Sequence, residues 1–207
     1  MKSAVIVSTV LGIAGSAFAQ VRITEWMYSG ANGEFFELTN VGNAPVDLTG
    51  WSYDDDSATP GVLSLSPLGV LMPGESAVLT ESSEAAFRAA WGLAPTVKII
   101  GGYTNNLGRN DQINIFDSSN AIADRLTYGD EVFIGSIRTQ NISGNPMTPA
   151  ALGADDVYQW IFAAPGDAFG SYFSSGGDLG NPGIYVPGPG AAVLAGLGLM
   201  SCLRRRR

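Results

Sequence analysis

The sequence predicts an all-β fold closed as a β-sandwich, with one short helix inside it and a hydrophobic helix at the C-terminus. Three observations carry this expectation. The 207 residues include 27 Gly and 11 Pro, which punctuate the chain too often for long helices. Charged residues are only 14% and hydrophobic ones 45%, enough to bury the core of a single domain. Between the turn signals lie six or more short runs rich in β-branched and aromatic residues, the spacing of a sandwich.

The N-terminus, MKSAVIVSTVLGIAGSAFAQ, has the three parts of a secretory signal. Lys2 supplies the basic start, Ala4 to about Ala14 the apolar stretch, and Ala17-Phe18-Ala19 the small-x-small site, so signal peptidase is expected to leave Gln20 as the first mature residue. The alternative is a buried N-terminal helix.

Val21 to Trp26 alternates apolar and polar as a half-buried strand does, and Gly30-Ala31-Asn32-Gly33 turns the chain into a second strand, Glu34 to Asn40. A turn at Val41 to Pro45 precedes a third expected strand, Val46 to Tyr53. Pro73-Gly74-Glu75 turns into Ser76 to Thr80. Ser83 can cap a helix from Glu84 to Trp91, with Phe87 and Trp91 on one face and Gly92 stopping it. Strands resume at Val97 to Ile100, Gln112 to Phe116 and Ala121 to Tyr128, the last two joined by the turn Asp117-Ser118-Ser119-Asn120.

The chain ends VPGPGAAVLAGLGLMSCLRRRR. The apolar run Ala191 to Leu203 is 13 residues, short of the ~20 of a comfortable membrane span. Arg204, Arg205, Arg206 and Arg207 would hold its end on the cytoplasmic side, with the globular part outside. A C-terminal helix packed on the domain is the alternative. The organisation predicted is therefore a signal peptide at 1–19, the sandwich at 20–184 with an irregular extension after about 130, and a tail at 185–207.

Removing both end segments removes the only cysteine, Cys202, from a chain that has no histidine. Disulfides, Ser-His-Asp and Cys-His catalysis, histidine-ligated zinc and a histidine pH switch are thereby excluded. Five of the 11 basic residues lie in those segments, so six face 19 acidic ones and the net charge falls to about −13. Such a surface repels nucleic acid.

The tail, with Val186-Pro187-Gly188-Pro189, an apolar run and an arginine cluster, resembles the PEP-CTERM sorting signal of bacterial exported proteins. The resemblance implies cleavage near the proline motif by an exosortase-type transpeptidase. Gly188 stands where that family usually has Glu. A second resemblance rests on Ile23-Thr24-Glu25, Glu34-Phe35-Phe36-Glu37-Leu38-Thr39-Asn40 and Val46-Asp47-Leu48-Thr49-Gly50-Trp51, followed by Asn106 to Ile115 and Asp124 to Tyr128. Together these are similar to the lamin tail domain, which implies an immunoglobulin-like sandwich over roughly Gln20 to Gly129. Gly180-Asn181-Pro182-Gly183 resembles the closing turn of that family, with Asn181 in place of Ser. Ile142 to Pro146 and Trp160 to Phe162 are expected as an insertion or an extended final hairpin.

Phe35 and Phe36 should enter opposite faces, Trp51 should plug the space between sheets, and Glu34 and Glu37 should diverge to opposite faces. The cluster best placed for chemistry is Asp54-Asp55-Asp56-Ser57, where a bound Ca²⁺ would relieve repulsion among three carboxylates. A solvated loop is its alternative, and Asp155-Asp156 is a lesser candidate. Tyr53, Tyr103, Trp160 and Tyr172 could form a sugar-binding platform or belong to the core. The favoured expectation is a non-enzymatic protein of the cell envelope, cell surface or extracellular matrix. It is exported, held in the membrane transiently or weakly by its C-terminus, and mediates adhesion or assembly with extracellular polysaccharide or other envelope proteins. A calcium- or polysaccharide-binding module and a carboxylate-based hydrolase are the alternatives.

Overall fold

The computed structural model describes residues 20–129 and 137–188. The strands are β1 (Val21–Met27), β2 (Phe35–Asn40), β3 (Val46–Asp47), β4 (Ser52–Asp54), β5 (Leu63–Ser64), β6 (Val70–Leu71) and β7 (Ser76–Thr80). After the helix α1 (Glu84–Trp91) come β8 (Lys98–Gly101), β9 (Asn110–Phe116), β10 (Ile122–Gly129), β11 (Gly144–Pro146), β12 (Trp160–Phe162), β13 (Tyr172–Phe173) and β14 (Leu179–Gly180). A six-stranded sheet in the order β12-β11-β1-β2-β7-β8 faces a four-stranded sheet in the order β10-β9-β4-β5. Among the described residues, no helix is long and apolar enough to cross a membrane. The expected C-terminal hydrophobic helix lies outside them.

Ile23, Trp26, Phe36, Leu38 and Leu79 from the larger sheet meet Tyr53, Ile113, Ile115, Leu126 and Tyr128 from the smaller one in one buried core. Fully burying each large side chain contributes about 1.5–3 kcal/mol. The centre between the sheets is filled by Trp26, which packs edge-on to Trp160 at 4.9 Å and tilted on Tyr128 at 5.5 Å. Trp51 is only half-buried at the rim of that core, so it does not plug the sandwich.

The expected strand Val46–Tyr53 is broken. Asp47 accepts hydrogen bonds from the Thr49 N–H and hydroxyl at 2.9 and 2.8 Å, and Gly50 adopts a left-handed φ of 79°. This turn sends β3 to pair with β6, while β4 joins the smaller sheet beside β9. Both expected segments after residue 130 are strands: β11 and β12 pair antiparallel, and β11 adds to the free edge of β1. They form the extended hairpin.

On the outer face of the larger sheet, Met27, Phe35 and Val78 pack against Phe87 and Trp91 of α1. Ser83 caps that helix by accepting from the Ala86 N–H, and Gly92 ends it at φ 63°. Phe35 and Phe36 therefore do enter opposite faces. The helix crosses from β7 to β8, which run parallel.

One irregularity decides what else lies on that outer face. The β1–β2 register shifts between Ile23 and Glu25, so Thr24 is an extra residue. Such a bulge reverses the alternation beyond it. It turns Trp26 inward and brings Glu25 outward, opposite Glu37.

Candidate functional site

Asp54, Asp55 and Asp56 follow β4 into a turn and do not share a site. The buried Asp54 carboxylate accepts from Ser57 Oγ at 2.5 Å, Thr59 N at 2.6 Å and Asn105 Nδ2 at 2.7 Å. Burial pushes its pKa up, but these hydrogen bonds outweigh burial and hold it below the usual carboxylate range. Asp55 is half-buried and accepts from the Ser57 N–H, while Asp56 is exposed and its N–H donates to Asp111. Among the described residues, no three acidic, histidine or cysteine side chains gather to hold a metal. Within the triplet, Asp54 is satisfied by a hydroxyl, a backbone N–H and an amide, and Asp55 by the Ser57 N–H. Asp155 accepts from the Thr127 N–H and hydroxyl, and Asp156 caps a short turn by accepting from the Tyr158 N–H.

The four aromatics do not make a platform. Tyr53, Tyr103 and Trp160 are buried in the core, with Tyr53 and Tyr103 edge-on at 5.9 Å. Only Tyr172, 39% exposed, reaches the surface, and it packs on Trp91.

The bulge in β1 brings two buried carboxyls together, which the sequence pattern did not reveal. Glu25 and Glu37 are cross-strand neighbours, and both are 0% exposed. Glu25 Oε1 accepts from Ser143 Oγ at 2.5 Å and Asn181 N at 2.7 Å, but its Oε2 has no partner. Glu37 Oε1 accepts from the hydroxyls of Thr24 at 2.6 Å and Thr39 at 3.3 Å, and its Oε2 from Gly183 N at 2.7 Å. Burial, and then the neighbouring Glu37 charge, push the Glu25 carboxyl well above its ordinary range. Burial likewise pushes Glu37 up to about 7, against the pull of its hydrogen bonds. Two buried carboxylates side by side cannot both ionise cheaply. Glu25, with one oxygen that no donor reaches, is the member whose charged form burial penalises more.

This pair resembles hydrolase chemistry only in its titration. The closing turn Asn181-Pro182-Gly183 donates one backbone N–H to each carboxyl, and both carboxyls are wholly buried. Glu34 is on the other side of β2, as its odd spacing from Glu37 predicts. Its carboxylate accepts from the Leu107 N–H at 2.6 Å and faces the Tyr103 hydroxyl, and burial raises its pKa to about 8.

At the surface, an apolar groove of about 310 Å³ is lined by Leu93, Val97, Phe169, Tyr172, Ile184 and Val186. The edge strand β12 exposes Ile161 (46%) and Phe162 (36%). Of the expected sorting residues, Val186 is half-buried, Pro187 exposed and Gly188 buried, and Gln20 is half-buried at the start of β1. Ala17, Ala19, Pro189, Arg204, Arg205, Arg206 and Arg207 lie outside the described residues.

Comparison with known proteins gives one match: the family model of the lamin tail domain covers residues 14–130, more than half of the chain. No curated protein and no solved structure matches the chain. The matched stretch runs through β10, so β11 to β14 lie beyond it. That family is immunoglobulin-like and non-catalytic, and its fold agrees with the two packed sheets. The chain belongs to the lamin tail domain family.

Proposed function

We propose that this is an exported, non-enzymatic protein of the cell envelope or extracellular matrix, whose sandwich mediates adhesion or assembly and whose last residues form a PEP-CTERM-like sorting tail. The observation that carries the assembly part is β12. It ends the larger sheet with Ile161 and Phe162 exposed, and an uncovered apolar edge invites another strand or apolar surface. Export is supported by the order of segments in the sequence: basic start, apolar stretch and Ala17-Phe18-Ala19 at one end, proline motif, apolar run and four arginines at the other. The partners are signal peptidase, an exosortase-type transpeptidase, the membrane before processing, and then other envelope proteins or polysaccharide.

The test is intact mass of the protein recovered from the envelope and medium of its own host, alongside the double variant Ile161→Lys, Phe162→Lys. The expected mass corresponds to Gln20 through about Pro187, and the variant should shift from envelope to medium with its thermal midpoint little changed. A mass that still contains Arg207 refutes the sorting reading, and equal retention of the variant refutes the role given to β12.

A further inference from the structure

The chain after β14 alternates between two cavities. Ile184 and Val186 line the apolar groove beside Leu93 and Val97. Tyr185 and Pro187 instead line a cleft of about 280 Å³ with Gln20, Val41, Pro149 and Leu152. This is the two-residue alternation of an extended segment lying on the domain, with Tyr185 and Val186 half-buried, Ile184 and Pro187 outermost and Gly188 buried at its end.

The segment is also fastened along its length. Asn181 N and Gly183 N donate to Glu25 and Glu37, Asn181 Nδ2 donates to Ile184 O at 2.9 Å, and Tyr185 N donates to Ser76 Oγ at 3.3 Å. At the far end, a Cβ on Gly188 would overlap the Met147 carbonyl oxygen and stand 3.1 Å from its carbon and 3.5 Å from Pro146 O. All three are backbone atoms of β11 and the residue after it. Met147 is held in turn by its N–H bond to Gln159 O at 2.9 Å, which a shift of that backbone would strain. Gly188 does not have a positive φ, so the seat needs glycine for space rather than for conformation.

We propose that residues Asn181 to Gly188 form a docked strap that shields Val186-Pro187-Gly188 from proteolytic attack, and that Gly188 is the residue which permits the seat. On this account, glycine replaces the usual glutamate of the motif because any side chain here must lift the strap off β11. Resting on the sorting reading above, the consequence is that tail removal waits for the strap to release its hydrogen bonds and the seat of Gly188.

The test is limited proteolysis of the full chain in mild detergent with proteinase K, read by intact mass, comparing wild type with Gly188→Glu and Gly188→Ala. Cleavage of a native chain tracks local opening. Wild type should be cut only beyond residue 188, whereas Gly188→Glu should be cut within 184–188 at least about tenfold faster and Gly188→Ala at an intermediate rate. Deuterium exchange of the wild-type peptide 181–188 serves as a second measurement, independent of how the variants fold, and should be slow at Gly183 and Tyr185. Cutting of wild type within 184–188 at the rate of Gly188→Glu, or exchange at the rate of a free peptide, overturns the strap. In the host, faster trimming of Gly188→Glu supports the shield, and trimming of both proteins at the same measurable rate refutes it. If neither protein is trimmed while the wild-type strap stays protected in vitro, the strap stands and the sorting reading fails.

Discussion

Replacing Glu37 by Gln should remove a pH dependence of stability that the buried pair imposes. Glu37 has an ordinary value near 4.5 and reaches about 7 in the folded protein. A carboxyl raised on folding is bound to its proton more tightly in the native state, so its contribution is fully present below pH 4.5 and is lost as pH rises through 7. The shift corresponds to about 3 kcal/mol in full, and to about 2 to 3 kcal/mol between pH 5 and pH 8. The isosteric amide can still accept from Gly183 N with its oxygen and present its NH₂ to the Thr24 and Thr39 hydroxyls, so no partner is stranded. Urea unfolding of both proteins at pH 5, 6, 7 and 8 measures the effect. Wild type should lose about 2 to 3 kcal/mol more than Glu37→Gln across that range. Glu34 and Asp124, also raised by burial, to about 8 and about 6, carry the same sign but are common to both proteins and cancel in the difference, whereas Glu25 loses the Glu37 charge that helps raise it and so adds to the difference in the same direction. Parallel pH profiles for the two proteins would refute the argument that the closing turn sits on an ionisable, dehydrated carboxyl.

Two further predictions test the loop and the core. Asp54→Ala strands the Thr59 N–H and the Asn105 amide, so it should cost about 2 kcal/mol or more, read as a lowered thermal midpoint. Millimolar Ca²⁺ should neither raise the midpoint of wild type nor rescue this variant; a calcium-dependent rise would restore the metal-site reading of Asp54 to Asp56. Gly144→Ala places a methyl 2.8 Å from Cη2 of Trp26 and should destabilise by about 1–3 kcal/mol. Combining it with Trp26→Phe should cost less than the sum of the two single changes, and strict additivity would show that the methyl clashes elsewhere.

The elements whose signals are local were legible from residues alone. Ser83, Phe87, Trp91 and Gly92 lie within ten residues of one another, so cap, buried face and stop could be read together. The same holds for the turn at Asp117 to Asn120, where Asp117 accepts from Ser119 and Ala121. The break at Leu48 to Gly50 was hidden because a run of β-formers masks an Asp-x-Thr turn. Strands β5 and β6 are two residues each, too short to show any period. The parallel pairing of β7 with β8, the addition of β11 to β1 and the cross-sheet bond from Ile23 N to Asp124 at 2.8 Å depend on partners far along the chain. Least legible was the Glu25–Glu37 pair. Strict alternation places Glu25 inward with Ile23, and only the extra residue at Thr24 sends it to the other face. That Trp26 directly follows Glu25 is the one hint, since a tryptophan out of phase with Val21 and Ile23 asks for a bulge.

Gln20 and Pro187 border the same cleft, with Gln20 O accepting from Val41 N at 2.8 Å. The two ends of the described domain therefore lie at one pole. Pulling at both ends loads the strap's fastenings one after another, from Gly188 back to Asn181, in the manner of a peeled strip. A shear geometry would load a whole row of bonds together and yield only at high force. The first bonds to meet a pull on the C-terminal side are therefore these few isolated ones, not a ladder between strands.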